Sequence, residues 1–245
     1  MKTINLKLLA CVLLSITAVF SSCKKSADTN ASSQISFGLT SDSPLATFSV
    51  PGSIAINSLV TMGPPLGTAG ITWTSGIANI ARFQLEAKKD GKSIEINTTG
   101  VTHVDLFTLN TSLANVQIDA GTYTEIELRI VFEKVTTADL PFVLKGTYTT
   151  KAGTNIPVEF DFNDNLIIKA SAENLVVDGT KNLGASLSVH LAKLLATVTA
   201  AEIDATTRTN STILITSSIN ANVYNKIIAA LTSCSDSKPF EKHDK

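Results

Sequence analysis

Apolar and polar residues alternate along most of the chain after Ile35, and a period of two predicts β-strands with one buried and one exposed face. The clearest strand runs over Thr122–Phe132, where Ile126, Leu128 and Ile130 alternate with charged side chains. Similar alternation predicts further strands over 81–87, 94–96, 142–148, 158–162 and 212–216. Short strands separated by Gly, Pro, Asn and Asp favour an all-β fold, an antiparallel β-sandwich over residues 35–240.

Two local patterns add detail to this picture. Asp90-Gly91 tolerates the positive φ of a tight turn, so the strand that ends near Lys89 is predicted to return through Ile94 and Ile96 as a hairpin. Leu166–Ile168 is a continuous apolar run, which predicts a strand buried on both faces. Residues 43–70 are rich in Pro and Gly and predict loops, with one edge strand near residues 46–50.

After Gly184 the apolar period changes towards that of a helix. One predicted helix carries the stripe Leu187, Leu191, Leu194, Leu195 and Val198, with Ser186 as its cap. A second stripe consists of Val223, Tyr224, Ile227, Ile228 and Leu231. With the strand at 212–216 between them, these helices form a predicted αβα part over about 184–233 that packs on the sheets.

The N-terminal residues have the pattern of an export signal. Lys2 and Lys7 precede an apolar run over 8–20, and small residues then lead to Cys23. The apolar run is too short for a membrane span, which needs about 20 residues. Residues 1–22 are therefore predicted to be a signal peptide. Their removal takes away two lysines and no acidic residue, so the formal net charge falls from −1 to −3.

Cys23 is the predicted lipidation site. Phe20-Ser21-Ser22-Cys23 resembles a relaxed bacterial lipobox, and in lipoproteins with that motif the cysteine thiol receives a diacylglycerol before signal removal. An ordinary signal followed by a chance cysteine is the alternative. Residues 23–34 are polar throughout and predict a flexible tether behind the lipidated cysteine.

Composition excludes several classes of function. Hydrophobic residues make up 44% of the 245 residues, which is enough for a core, and the formal net charge of −1 gives no electrostatic basis for binding nucleic acid. Three cysteines and three histidines at scattered positions do not form a zinc module or a disulfide framework. No cofactor is predicted.

One cluster of oxygen ligands is a candidate calcium site. Asp161, Asn163 and Asn165 lie close together, with Asp164 among them, but the glycine and glutamate of an EF-hand loop are absent. Turn formation is the favoured explanation of the cluster, because Asn and Asp adopt αL conformations and make local side-chain hydrogen bonds. His103 and Asp105, two positions apart on a strand, are either two metal ligands or a surface pair, and the surface pair is favoured.

Trp73 and a set of acidic residues carry the remaining candidate chemistry. Trp73 is the only tryptophan and would have to be exposed to stack on a sugar, whereas a tryptophan is more often a core residue. A hydrolase would require two carboxylates to meet in a cleft, one of them with a raised pKa. The candidates for that pair are Asp105, Glu125, Glu127, Glu159 and Asp161.

Two stretches, His103–Ile130 and Ile156–Ile168, resemble an uncharacterised domain family of bacterial surface lipoproteins. The elements that carry the likeness are Asp105-Leu106, Leu109, the strand from Gly121 to Ile126, and Phe160-Asp161-Phe162. The resemblance covers about residues 75–170. It implies an immunoglobulin-like or transthyretin-like β-sandwich without a known enzymatic role, and it implies no functional residues.

These observations lead to three functional hypotheses. The favoured one is a non-catalytic lipoprotein of the bacterial outer membrane, at the cell surface or facing the periplasm, which serves binding, adhesion or assembly through an unidentified glycan or protein partner. A carbohydrate- or ligand-binding accessory lipoprotein is the first alternative, with Trp73 as its candidate ligand residue. A hydrolase with a carboxylate site is the second alternative.

Overall fold

The computed structural model describes residues 31–42, 45–48, 68–108, 110–233 and 235–244. Within these ranges the chain is mostly β, with two sheets and few helices, which confirms the all-β class. The smaller sheet contains β1 (Ser32–Ser41), β5 (Asn110–Asp119), β10 (Lys181–Val189) and β13 (Ser235–Asp244). Its order is β13-β10-β1-β5.

The larger sheet is organised around one long strand. Its members are β2 (Leu45–Thr47), β3 (Gly70–Lys89), β4 (Lys92–Asp105), β6 (Gly121–Phe132), β7 (Phe142–Thr149), β8 (Asn155–Phe162), β9 (Leu166–Val177), β11 (Arg208–Thr209) and β12 (Thr212–Ile215). The order is β11-β12-β8-β7-β3-β6-β9, and β2 and β4 also pair with β3. Most pairs are antiparallel, as predicted, but β1 pairs with β10 and β8 pairs with β12 in parallel.

Strand β3 changes partners halfway along its length. Its first half, up to Ala78, pairs with β7, and its second half, from Arg82, pairs with β6. Strands β8 and β9 follow the same division, because β8 pairs with β7 and β9 pairs with β6. The connections over 133–141 and 163–165 therefore lie side by side at the level where β3 changes partners.

Apolar side chains from both sheets join in one core. Between the sheets, Phe37 of β1 stacks on Phe83 of β3 with ring centroids 5.7 Å apart. The first half of β3 shares its core with helix α2 (Ala221–Ser233), where the ring of Tyr224 packs 5.7 Å from that of Phe160 on β8. No helix in the described part of the chain is long and apolar enough to cross a membrane.

The predicted hairpin is confirmed. Asp90 and Gly91 have φ values of 52° and 74°, the conformation of a type I′ turn, and Lys89 pairs with Lys92 on either side of them. The strand predicted over Thr122–Phe132 is confirmed as β6, and the strand predicted over 212–216 is confirmed as β12.

The first predicted C-terminal helix is wrong. Leu187 lies in β10, where Leu183, Ala185, Leu187 and Val189 are buried in alternation with less buried residues. The apolar residues after His190 that matched a helical stripe are buried in a 3-10 turn (Leu191–Lys193) and in the loop behind it. The period of two extends across the predicted start of the helix, and pairing with β1 determines the structure there.

The second helical stripe is confirmed as α2, which buries Val223, Tyr224, Ile227 and Leu231. A shorter helix, α1 (Ala200–Asp204), precedes it. Its capping box consists of Thr199 and Glu202, which exchange side-chain and backbone hydrogen bonds. The predicted αβα part is therefore a strand, a 3-10 turn, two helices and two short strands.

Two smaller predictions also need correction. Ile167 is 47% exposed, so the run Leu166–Ile168 is not buried on both faces. Strand β9 alternates between buried and exposed residues, and among the described strands it pairs only with β6. Strand β1 begins at Ser32, within the predicted tether, and Ser33 is buried. The ordered fold thus begins before the predicted boundary at residue 35.

Candidate functional site

Two predicted features, the signal peptide and the lipidation site Cys23, lie outside the described residues. The described chain instead brings together two groups of polar side chains. One group lies where the strands of the larger sheet change partners, and the other lies on the outer face of β4, β3 and β6.

The candidate calcium ligands hold two loops together. Asn163 accepts a hydrogen bond from the backbone N–H of Val135 at 2.9 Å and donates one to its carbonyl at 3.0 Å. The Oδ1 atom of Asn165 accepts from the backbone N–H of Lys134 at 2.9 Å. Asp164 accepts from the hydroxyl of Tyr224 at 2.8 Å. These amide and carboxylate oxygens accept hydrogen bonds from protein donors 28 to 60 positions away, whereas the turn interpretation expected local bonds. Their engagement by protein donors does not favour the calcium interpretation.

Asp161, the third candidate calcium ligand, lies with Glu159 on the outer face of β8. Burial raises the pKa of its carboxyl group, and the neighbouring charge of Glu159 raises it further. Glu159 is itself paired with Lys145, with 2.9 Å between Oε1 and Nζ. Asp161 Oδ1 is buried and has no hydrogen-bond partner among the described residues. A single carboxyl group with a raised pKa, beside a carboxylate that is paired with a lysine, does not form the acid–base couple of a hydrolase.

His103 and Asp105 do not form a metal site. His103 has a φ of 59°, and its Nε2 atom lies 3.9 Å from a carboxylate oxygen of Asp139. Asp105 bonds the backbone N–H of Phe107 and the hydroxyl of Thr108, so its carboxylate stabilises the turn after β4. Across the described residues, no group of three or more His, Cys, Asp or Glu side chains is placed to hold a metal ion.

Trp73 is buried, as expected of a core residue, so it does not serve as the candidate ligand residue of the carbohydrate-binding alternative. The residue is 2% exposed on the inner face of β3, inside the core. Its indole N–H has no hydrogen-bond partner among the described residues. Neither ring face is available to a glycan, so Trp73 is a core residue in this fold.

The burial of Trp73 predicts a simple spectroscopic result. Because this is the only tryptophan, the folded chain is expected to emit at a shorter wavelength than the guanidinium-unfolded chain, and iodide is expected to quench the unfolded chain much more strongly. Simple sugars should leave the spectrum unchanged. Equal quenching of the two states would contradict the buried position of the ring.

The second polar group is a row of three glutamates on the outer face of the larger sheet. In the strand register Glu86 of β3 lies directly beside Glu95 of β4 on one side and Glu127 of β6 on the other. We call these three residues the glutamate row. They line a surface cavity of about 230 Å³ together with neighbouring residues that include Lys88, Ser93 and Glu125.

Cations and hydrogen-bond donors surround the glutamate row. Arg129 bonds both Glu86 and Glu127, and Lys169 lies 3.2 Å from Glu127. Burial alone would raise the pKa of Glu127, but the hydrogen bonds from Arg129 and Lys169 outweigh it, and the pKa lies below its usual value. The carboxylate of Glu127 is therefore a charge carrier and does not serve as a proton donor near neutral pH.

Glu95 differs from the other two members of the row because its hydrogen bonds come from neutral amides. Asn97 and Gln84 each donate to its Oε1 atom at 2.9 Å. These two bonds, that from Asn97 first, lower the pKa of Glu95. The carboxylate at the edge of the sheet is thus ionised and oriented without an ion pair to any described residue.

The fold separates the five acidic residues of the hydrolase hypothesis into two pairs on different strands and one residue in a turn. Glu125 and Glu127 lie on the outer face of β6, Glu159 and Asp161 lie on β8, and Asp105 lies in a turn. The sequence reasoning missed Glu86 and Glu95. Their pairing follows from the two-residue turn at Asp90-Gly91, because positions equally distant from such a turn lie opposite each other.

A second surface cavity, of about 340 Å³, lies between α1 and the start of α2. Its lining includes Glu202, Thr206, Asn220 and Asn222. Glu202 pairs with Lys226, and this pairing lowers the pKa of Glu202 to about 2. Asn220 bonds the backbone of Thr207 through both its amide oxygen and its amide nitrogen, so its polar atoms maintain the local fold.

No protein-family model, curated protein or solved structure matches this chain.

Proposed function

We propose that the chain is a lipoprotein of the bacterial cell envelope, anchored through an acylated Cys23, with a non-catalytic β domain that binds a partner. The observation that carries the proposal is the N-terminal pattern of two lysines, an apolar run, small residues and a cysteine. The fold is compatible with it, because β1 begins at Ser32 and leaves eight residues, Lys24 to Ala31, between the cysteine and the first strand.

The path of β1 determines which end of the domain lies near the anchor in this proposal. Ser32 pairs with Asp119, and the carbonyl of Ala31 accepts the backbone N–H of Ala120 at 2.7 Å. The end of β3 is close by, since Lys89 Nζ lies 2.5 Å from the carbonyl of Ala120. Strand β3 has 20 residues, roughly 65 Å of strand, so its other end and helix α2 lie far from the anchor.

A non-catalytic role is supported by the electrostatics of the carboxylates. The pKa values of Glu95 and Glu127 are lowered, while the raised pKa of Asp161 belongs to a residue on a different part of the sheet. A carboxylate hydrolase needs one raised and one ordinary carboxyl group in a single cleft. A binding role, in which fixed charges recognise a partner, needs no such pair.

We also propose that the two sheets form a sandwich of the immunoglobulin-like or transthyretin-like kind, as the resemblance to surface lipoproteins implies. The stacking of Phe37 on Phe83 across the two sheets supports this arrangement. An experimental structure, superposed on representatives of the immunoglobulin-like and transthyretin-like folds, tests this proposal by comparing the strand order of the smaller sheet.

The lipid anchor is tested by metabolic labelling with an alkyne fatty acid in cells that express the full chain. The wild-type protein is expected to carry the label and to sediment with membranes, whereas Cys23→Ala should lose the label and the membrane association, because the acylated thiol is gone. Cys234→Ala is the matched control and should behave as wild type.

Labelling of Cys23→Ala at the wild-type level would contradict the anchor. Protease treatment of intact cells then distinguishes the two sides of the outer membrane. Digestion of the wild-type protein on unbroken cells would place the domain at the surface, and protection until the membrane is opened would place it in the periplasm.

A further inference from the structure

Strand β4 lies at one edge of the larger sheet and offers backbone groups for pairing with a further strand. Strand β4 pairs with β3 on one side, and no described strand pairs with its other side. Because the type I′ turn bonds the Lys92 N–H to the Lys89 carbonyl, every second residue after Lys92 directs its backbone groups towards β3. The backbone groups of Ser93, Glu95 and Asn97 therefore face outward.

This edge lacks the features that usually block strand addition. Between Ser93 and Thr99 there is no lysine and no proline, and the register with β3 runs without a shift. The only charge in that stretch is carried by Glu95. The opposite edge strand, β9, differs because Asn174 has a φ of 54° and interrupts its pairing with β6.

The two faces of the free edge have different chemistry. On the inner face, Ile94 and Ile96 are half-buried and pack against the core. On the outer face, Ser93, Glu95 and Asn97 are exposed, and Glu86 lies one strand further in. An added strand would place alternate side chains beside the isoleucines and the remaining ones beside the carboxylates.

We propose that the β4 edge binds an extended peptide segment by strand addition, and that the segment alternates apolar and basic residues. The residue opposite Glu95 is a lysine or arginine, because Glu95 is ionised and bonded only by neutral amides among the described residues. In the bound segment, the residues before and after this basic residue are apolar and cover Ile94 and Ile96. A second copy of this chain fits less well, because its own β4 adds another Glu95 carboxylate to the acidic face.

This inference names the partner chemistry of the binding role proposed above and does not depend on the lipid anchor. The test uses the full chain and a fluorescein-labelled peptide that alternates valine with lysine and matches Ser93–Thr99 in length. Fluorescence anisotropy is expected to show saturable binding. A peptide with glutamate in place of lysine, and one with the same residues in separate blocks, are expected to bind at least about tenfold more weakly.

Substitutions at Glu95 test the position of the site. Glu95→Gln keeps a hydrogen-bond acceptor for Asn97 and Gln84 but removes the charge, so it should lower the affinity for the lysine peptide about threefold. Glu95→Lys should reverse the preference, so that the glutamate peptide binds more tightly than the lysine peptide. Glu173→Gln removes an exposed carboxylate from β9 on the same face, three strands away from β4, and should leave both affinities unchanged.

Amide hydrogen exchange gives an independent readout of the backbone contact. The lysine peptide is expected to slow exchange at Glu95 and Asn97, and to leave Ile94 and Ile96 unchanged because their amides already bond β3. Binding without this protection, or an equal loss of affinity in Glu173→Gln, would overturn strand addition. A peptide-free dimer with protected β4 amides would show that the occupant is a second copy and would overturn the proposed partner. A chain that does not bind the peptide could still be acylated at Cys23, so the strand-addition proposal and the lipid-anchor proposal can fail separately.

Discussion

Replacing Phe83 with alanine is expected to lower the free energy of unfolding by about 3–5 kcal/mol. Phe83 is fully buried, and its ring stacks on that of Phe37, so the substitution opens a cavity at the contact between the two sheets. The loss of a stacked aromatic pair adds to the loss of buried apolar area. Urea unfolding followed by the emission of Trp73 measures the change as a lower midpoint at an unchanged slope.

Phe107→Ala is the matched control for this prediction. It deletes the same side chain from a turn where the residue is 37% exposed, and a surface substitution of this kind changes stability by about 0.5 kcal/mol or less. Equal midpoint shifts in the two variants would contradict the packing of the smaller sheet against β3. A large shift in Phe83→Ala alone would support the single core that both sheets share.

Local features of the fold were predictable from the sequence because their causes are local. The hairpin of β3 and β4 depends on the conformational freedom of Asp90-Gly91, and β6 shows its buried face through Ile126, Leu128 and Ile130. Helix α2 carries an apolar stripe that is complete within its own length. In each case the residues that decide the structure are neighbours along the chain.

The predictions that failed depend on partners far away in the sequence. Strand β10 pairs in parallel with β1, and Phe37 lies opposite Ala185 although 148 positions separate them. The apolar residues that follow β10 resemble a helical stripe because the 3-10 turn and the loop behind it bury leucines at intervals similar to those of an α-helix. Trp73 was an ambiguous candidate for the same reason, since only the assembled core decides whether its ring faces solvent.

The candidate site was mostly hidden from local sequence patterns. The polar cluster was recognised, but Asn163 and Asn165 bond a loop 28 and 31 positions away along the chain instead of forming local turn bonds. The glutamate row requires β6 to pair with β3, and no local sequence pattern predicts that pairing. Its edge member Glu95 is also the residue at which charge and free backbone groups coincide, and this coincidence makes β4 the best-defined surface for a partner.

All three tyrosines of the folded chain are expected to resist ionisation well above the ordinary pKa of about 10. Burial raises the pKa of Tyr148 and of Tyr224, and the carboxylates that accept their hydroxyl hydrogen bonds, those of Asp204 and Asp164, raise each further. Burial also raises the pKa of Tyr123. Absorbance at the phenolate band should therefore stay flat through pH 10 and rise only as the fold is lost.

The same shifts determine the sign of the stability change. A group whose pKa is raised by folding contributes stability that is fully present below its unfolded pKa and is lost as the pH rises towards its folded pKa. Above about pH 10 the free energy of unfolding should fall by up to about 2.7 kcal/mol per pH unit for Tyr148 and Tyr224 together. Asp164→Asn keeps an acceptor but removes the charge, so phenolate should form at lower pH in this variant while burial persists. A folded chain that titrates like the guanidinium-unfolded chain would contradict the buried hydrogen bonds that join the helical segment to the larger sheet.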